Sequence, residues 1–215
     1  MARSSSAEIV RRAFEARTAV PGFNVPYLPM MAPVVAALAD AGCVGMVMVA
    51  RLEWTKFEAG GLAQVRTEYE RVKDERFTRL HLDHVPVVDE DGLAVDWRSL
   101  VREAIGLGYE SVMIDGSRLP LEENIAATAE VVAMAREAGV AVEAELGAVA
   151  GHEDGPWPPY EELFASRAGF TDPAEARRFV DRTRCDWLSV SVGSVHGAIS
   201  RARKDQEKVA ARLHL

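Results

Sequence analysis

RLHLDHVPVVDEDG, residues 79–92, sets His81, Asp83 and His84 within four positions at the end of an apolar run, just before Pro86. Imidazoles and a carboxylate at the end of a buried strand are costly to fold unless they meet a cation or hydrogen-bond partners. Adjacent strand residues point to opposite faces. Asp83 and His84 are therefore expected to share a site only where the strand ends and the backbone turns, and Pro86 suits such a turn.

The same pattern recurs along the chain. Short runs rich in Val, Met and Ile predict strands at 19–25, 44–50, 78–84, 111–115, 140–146 and 186–192. Between them, apolar residues at helical spacing predict helices at 29–41, about 60–75, 96–107, 121–138 and 173–183. Thr171 or Asp172 can cap the last of these, with Pro173 in its first turn, and Gly108 and Gly139 suit helix C-termini. Strands read as apolar on both faces and joined by helices form a parallel sheet.

Two architectures compete for that sheet. A doubly wound fold usually carries a glycine-rich phosphate loop after its first strand, whereas FNVPYLPM has no GxGxxG. A (β/α)8 barrel assembles its site from the C-terminal ends of several strands. Asn24, Asp83, His84, Asp115, Glu145 and His196 all fall at or just after such ends. The predicted fold is α/β, a TIM-type barrel that is incomplete, with about six βα units in a single domain over residues 1–215. A full barrel takes about 250 residues, so the chain is expected to be part of a longer one, its first and sixth strands open to another chain or segment. Residues 151–170, rich in Gly, Pro and carboxylates, are expected to be a lid or binding loop.

Composition narrows the function. With 48% hydrophobic and 27% charged residues the chain is an ordinary globular one, and a net charge of −8 without a basic patch disfavours nucleic acid and anionic membranes. Cys43 and Cys185 are too few for a disulfide framework and lack metal-ligand spacing. The start, MARSSSAEIVRRAFEAR, is no signal peptide, and no run of about twenty apolar residues occurs. A cytoplasmic location is expected.

In a barrel, His84, Glu145 and His196 would converge on one mouth, and two imidazoles with a carboxylate suit zinc or a similar divalent ion. Asp83 could then act as general acid/base beside it. Plainer roles stand beside these: His81 is read as structural and His152 as solvated. Glu145 could pair with an arginine, and Asp115 before Gly116 could be a turn former. Glu143 alternates with Glu145 and faces the same way, which needs compensation if buried.

LDH at 82–84, SVMIDGSRLPLEENI at 111–125, VEAELG at 142–147, GHEDG at 151–155, FTDPAEARRFV at 170–180 and GSVHG at 193–197 together resemble the class II, metal-dependent fructose-bisphosphate aldolases and their ketose-bisphosphate relatives. The resemblance implies a TIM barrel and zinc-dependent aldol cleavage of a phosphorylated ketose, with no Schiff-base lysine. It implies that Asp83 is the catalytic aspartate, His84 and His196 zinc ligands, and Asp115 and Glu145 holders of a second or alternative metal position, divalent or monovalent. It also implies that Glu153 abstracts a proton from dihydroxyacetone phosphate, that Gly197 contacts a substrate phosphate, and that the protein is a homo-oligomer; Asn24, a polar strand end at the same mouth, is expected to bind substrate. The sequence departs from the family after the second strand, where VARLEWTKFEAGG replaces the usual Ser followed by Gly-Ala. The family's third zinc histidine, from a Gly/Ser-rich seventh strand, has no match, and His214 in RLHL is no substitute. Two alternatives stay open: a non-catalytic binding or assembly protein with a degenerate metal site, and a metal-dependent aldolase or isomerase for another phosphosugar.

Overall fold

The computed structural model describes residues 4–148 and 160–193. Its strands are β1 (Gly22–Asn24), β2 (Gly45–Ala50), β3 (Thr78–Pro86), β4 (Ser111–Asp115), β5 (Ala141–Leu146) and β6 (Trp187–Val190). Its helices are α1 (Ser6–Glu15), α2 (Met31–Asp40), α3 (Arg51–Thr55), α4 (Leu62–Val72), α5 (Trp97–Gly106), α6 (Leu121–Ala138), α7 (Tyr160–Ser166) and α8 (Pro173–Thr183), with a 3-10 turn at Leu28–Met30.

The strands form one sheet in the order β1-β2-β3-β4-β5-β6, and every pairing is parallel. A doubly wound sheet reverses its strand order at a switch point. This sheet never reverses, and it curls as a half-barrel.

The two faces of the sheet differ. On β3, Leu80 and Leu82 are fully buried in one apolar cluster with Val65, Val101 and Ala104 of the covering helices. His81 and Asp83 take the alternate positions and face inward with Ser111 of β4. On β5, Val142 and Ala144 join the outer cluster, while Glu143 and Glu145 face the histidines inside. The expectation of strands apolar on both faces is thus corrected for β3 and β5: only the helix side is apolar. Barrel interiors are normally filled by branched aliphatics, so a polar interior here has to be held by its own contacts.

Helix signals act as their chemistry dictates. Asp172 caps α8 by accepting from the backbone N–H groups of Ala174 and Glu175, and Asp96 caps α5 through the N–H of Ser99. Gly139 ends α6 in the left-handed conformation, at φ 68°.

Three helices were not expected from the sequence. α7 occupies part of the segment read as a loop, and Phe164 meets Phe170 edge-on at 5.7 Å across its end. α3 is a five-residue turn after β2. α1 sets Ile9, Val10, Ala13 and Phe14 at helical spacing but exposes Phe14; it is supported by the Ser5 cap and by pairs of Glu8 with Arg11 and Arg12. Its anchor is Arg79, buried at the start of β3, whose guanidinium donates to the Ser4 carbonyl at 2.8 and 3.1 Å and to the carbonyls of Glu75 and Thr78. Arg79→Ala is expected to lower stability by about 2–3 kcal/mol, read as a drop in the urea midpoint, and to open α1 to limited proteolysis.

Candidate metal centre and active site

Because the strands are parallel, Asn24, Asp83, Asp115 and Glu145 all reach the same, C-terminal end of the sheet. His84 reaches it by a route the sequence did not suggest. β3 does not end at His84 but continues to Pro86, and its pairing with β4 slips: Leu82 faces Val112, whereas Val85 faces Ile114. One extra residue on β3 makes a bulge, which brings consecutive side chains toward one side and re-aims them. His84 sits in it at φ 31°, a left-handed value that is strained for a residue with a Cβ. The turn needed to bring Asp83 and His84 together is therefore made inside the strand.

His84 meets two carboxylates from the next two strands. Its Nδ1 lies 3.3 Å from Asp115 Oδ2 and 3.4 Å from Glu145 Oε2. One ligand-type atom from each of the three residues lies within 4.8 Å of the others. Asp115 is also the turn former allowed for above, because its Oδ1 accepts from the N–H of Ser117 at 3.0 Å and the hydroxyl of Ser117 at 2.6 Å. That grip leaves Oδ2 for His84. Glu145 has no arginine partner among the described residues, and its buried Oε2 has no hydrogen-bond partner.

The electrostatics describe a site short of positive charge. Burial works against a charged His84, but the Asp115 hydrogen bond and the charges of Asp83, Glu145 and Asp115 outweigh it, and its pKa is raised to about 10. Burial also works against Asp115, yet the bonds from His84 and Ser117 hold its carboxyl below the ordinary value. Glu145 is pushed up to about 7 by burial and then by the charge of Asp115. A proton on His84 thus offsets part of the carboxylate charge. A bound divalent cation would do so more fully and would engage the orphaned Oε2, so the residues present fit a metal ion.

Asp83 lies beside this trio, buried, with Oδ2 accepting from Asn24 Nδ2 at 2.8 Å. Asn24 also favours the charged form of Glu53, a buried carboxylate whose Oε2 accepts the Ala50 N–H at 2.7 Å. Burial raises the Glu53 pKa, partly offset by the Ala50 N–H and by Asn24. Sequence reasoning missed Glu53. Its signal was the acidic residue three positions after the end of β2, which suits the first turn of a helix. Glu53→Ala leaves the Ala50 N–H without its acceptor and is expected to cost about 1–3 kcal/mol; Glu53→Gln keeps an acceptor, so its urea midpoint is expected to fall less. Asn124 was also missed. Its Nδ2 donates to the Glu145 carbonyl at 2.9 Å, and its Oδ1 packs where a Cβ on Gly116 would come within 2.2 Å. Glycine at 116 therefore keeps the Asp115 turn against the strand that carries Glu145.

His81 is fully buried, with Nδ1 2.8 Å from Ser111 Oγ and Nε2 3.9 Å from Asp83 Oδ1 and 3.6 Å from Glu143 Oε2. Burial pushes its pKa down to about 4, so these contacts are not ion pairs. Glu143 rises to about 7, first by burial and then by the Asp83 charge. Glu153, His196, Gly197 and His152 lie outside the described residues.

Six parallel strands with helices between them curl into a half-barrel, and three side chains able to hold a metal ion meet at its strand ends, which defines an α/β protein of the barrel class. The chain belongs to the class-II fructose-bisphosphate aldolase family, whose model matches residues 4–213. A fructose-bisphosphate aldolase of Staphylococcus aureus (strain Mu50 / ATCC 700699) is 42% identical over 118 residues, which are 55% of this chain and 35% of that protein. Among solved structures, the YdjI aldolase from Escherichia coli K12 superposes with a TM-score of 0.65 at 25% identity, covering 86% of this chain and 61% of that one. The fructose-bisphosphate aldolase from Campylobacter jejuni shares the fold, with a TM-score of 0.66 at 21% identity over 91% of this chain and 60% of the other. The matches span about a third of the length of the curated relative and about three-fifths of these structures. No helix among the described residues is long and apolar enough to cross a membrane.

Proposed function

We propose that this chain supplies the metal-binding and proton-transfer end of a class II aldolase that cleaves a ketose bisphosphate, fructose 1,6-bisphosphate or a close relative, to dihydroxyacetone phosphate and an aldehyde. The observation that supports this best is the trio His84, Asp115 and Glu145, with a buried carboxylate oxygen that makes no hydrogen bond, next to Asp83 on a bulged strand. Zinc is the ion the reading favours, with a second divalent or monovalent cation on the carboxylates. When bound, it would polarise the ketose carbonyl and stabilise the negative charge that builds as the carbon–carbon bond breaks.

The chain's own residues do the rest. Asp83 takes the proton of the C4 hydroxyl during cleavage and returns it in condensation. Asn24 holds the Asp83 carboxylate by Oδ2 and can also meet substrate. By family resemblance His196 is a further zinc ligand, Glu153 moves the proton on the dihydroxyacetone phosphate half, and Gly197 offers its backbone to a phosphate. The protein is proposed to be a cytoplasmic homo-oligomer built on one barrel domain over residues 1–215.

A second reading changes only the substrate. Glu53, buried beside Asn24 and Asp83, stands where the family commonly has Ser followed by Gly-Ala, and a further carboxylate there favours a phosphosugar whose aldehyde half is not anionic. The test is metal content together with cleavage of fructose 1,6-bisphosphate and of ketose phosphates lacking the second phosphate, in this chain and in any longer product of the same reading frame. Zinc-dependent cleavage of any of these supports the aldolase reading, and preference for the monophosphates supports the second form. Stoichiometric metal without cleavage in every form would leave a binding or assembly protein.

A further inference from the structure

His81 carries a buried nitrogen for which the reaction just proposed has no use. Its Nε2 makes no hydrogen bond, yet it points between the oxygens of two carboxylates, Asp83 Oδ1 at 3.9 Å and Glu143 Oε2 at 3.6 Å. A bare lone pair facing the Asp83 carboxylate would be repelled, whereas an N–H is attracted to it and to the Glu143 oxygen beside it. The proton of the neutral ring therefore belongs on Nε2. Ser111, cross-strand partner of His81, must then donate its hydroxyl to Nδ1 over their 2.8 Å contact. Ser111 is wholly buried, so this hydroxyl orients the ring and meets no substrate.

We propose that His81 is a positioning residue for Asp83: held by Ser111 in the Nε2–H tautomer, it offers one N–H from inside the sheet to Asp83 and Glu143 and keeps the Asp83 carboxylate aimed at the mouth. Asp83 is then gripped from two sides, Oδ2 by Asn24 and Oδ1 by the His81 N–H. At 3.9 Å the pull of the N–H on Oδ1 is electrostatic and longer than a hydrogen bond. Glu143 competes for the same proton from β5, so the one donor serves either carboxylate in turn. The low pKa of the buried ring agrees with its staying neutral in this role.

This proposal rests on the reading of Asp83 as the proton-transfer group, but its first test needs neither metal nor turnover. Long-range proton–nitrogen spectra of the chain labelled with nitrogen-15 histidine report tautomers directly, and His81→Gln assigns the signal. The expected result is a neutral Nε2–H ring whose tautomer is constant from about pH 5.5 to 8, and whose Nε2–H resonance moves in both Asp83→Asn and Glu143→Gln. An Nδ1–H ring, an imidazolium at neutral pH, or a resonance indifferent to Asp83→Asn would overturn the proposal. A kinetic arm separates positioning from packing. In the form that cleaves substrate, His81→Leu is expected to lower kcat about 10–100-fold with KM and metal content unchanged, and His81→Gln, which keeps an N–H, to recover most of it. Equal losses in both variants would contradict the assignment. A correct tautomer in a chain without cleavage in any form would instead count against the aldolase reading.

Discussion

His84→Ala is expected to abolish zinc binding at this site, weakening affinity by at least about 100-fold in a calorimetric titration of the metal-free protein. His84 is the only nitrogen ligand of the described trio, and both carboxylates converge on its Nδ1, at 3.3 and 3.4 Å. Removing it takes away the softest donor and leaves two anions facing each other across a gap. Alanine also carries a Cβ, so the left-handed strain at position 84 remains, and the urea midpoint of the metal-free variant separates any loss of stability from the loss of metal. A variant that binds zinc as the parent does would place the ion elsewhere.

Asp83→Ala is expected to reduce kcat for cleavage by about 10²–10⁴-fold, with bound zinc unchanged. The carboxylate lies next to the trio without belonging to it. Asp83→Asn separates charge from shape: its carbonyl oxygen can still accept from Asn24, but an amide cannot take the hydroxyl proton. It should therefore be as slow as Asp83→Ala while folding like the parent. Loss of zinc in both variants would make Asp83 a ligand and leave the proton transfer without its group.

Much of this was legible in the sequence for a simple reason. In β4 and β5 the apolar residues that pack on helices are interrupted by charged ones, and Asp115, Glu143 and Glu145 stand out because strand interiors seldom tolerate them. The strict succession of strands and helices, with Asp172, Gly108 and Gly139 as punctuation, made β2 to β5 and helices α4, α5, α6 and α8 legible with only small shifts at their ends, while α3 and α7 in the same span were not. What escaped has physical causes as well. The bulge at Asp83 and His84 is a mismatch between two strands, visible only when β3 is laid against β4. Glu53 and Asn124 act through the backbone atoms of Ala50 and Glu145, contacts that leave no periodicity in the sequence. α1 is anchored by Arg79, which is distant in sequence, and α7 was obscured by the neighbouring prolines.

In the proposed reading, His84, Asp115 and Glu145 together hold a divalent ion at the strand ends of the sheet. Anomalous diffraction at the zinc edge, from crystals of the zinc-loaded protein, tests it most directly. One strong peak is expected, bounded by the His84 imidazole and the two carboxylates, about 2.0–2.2 Å from its ligand atoms. Zinc bound stoichiometrically at any other place, or no peak among these three side chains, would contradict it.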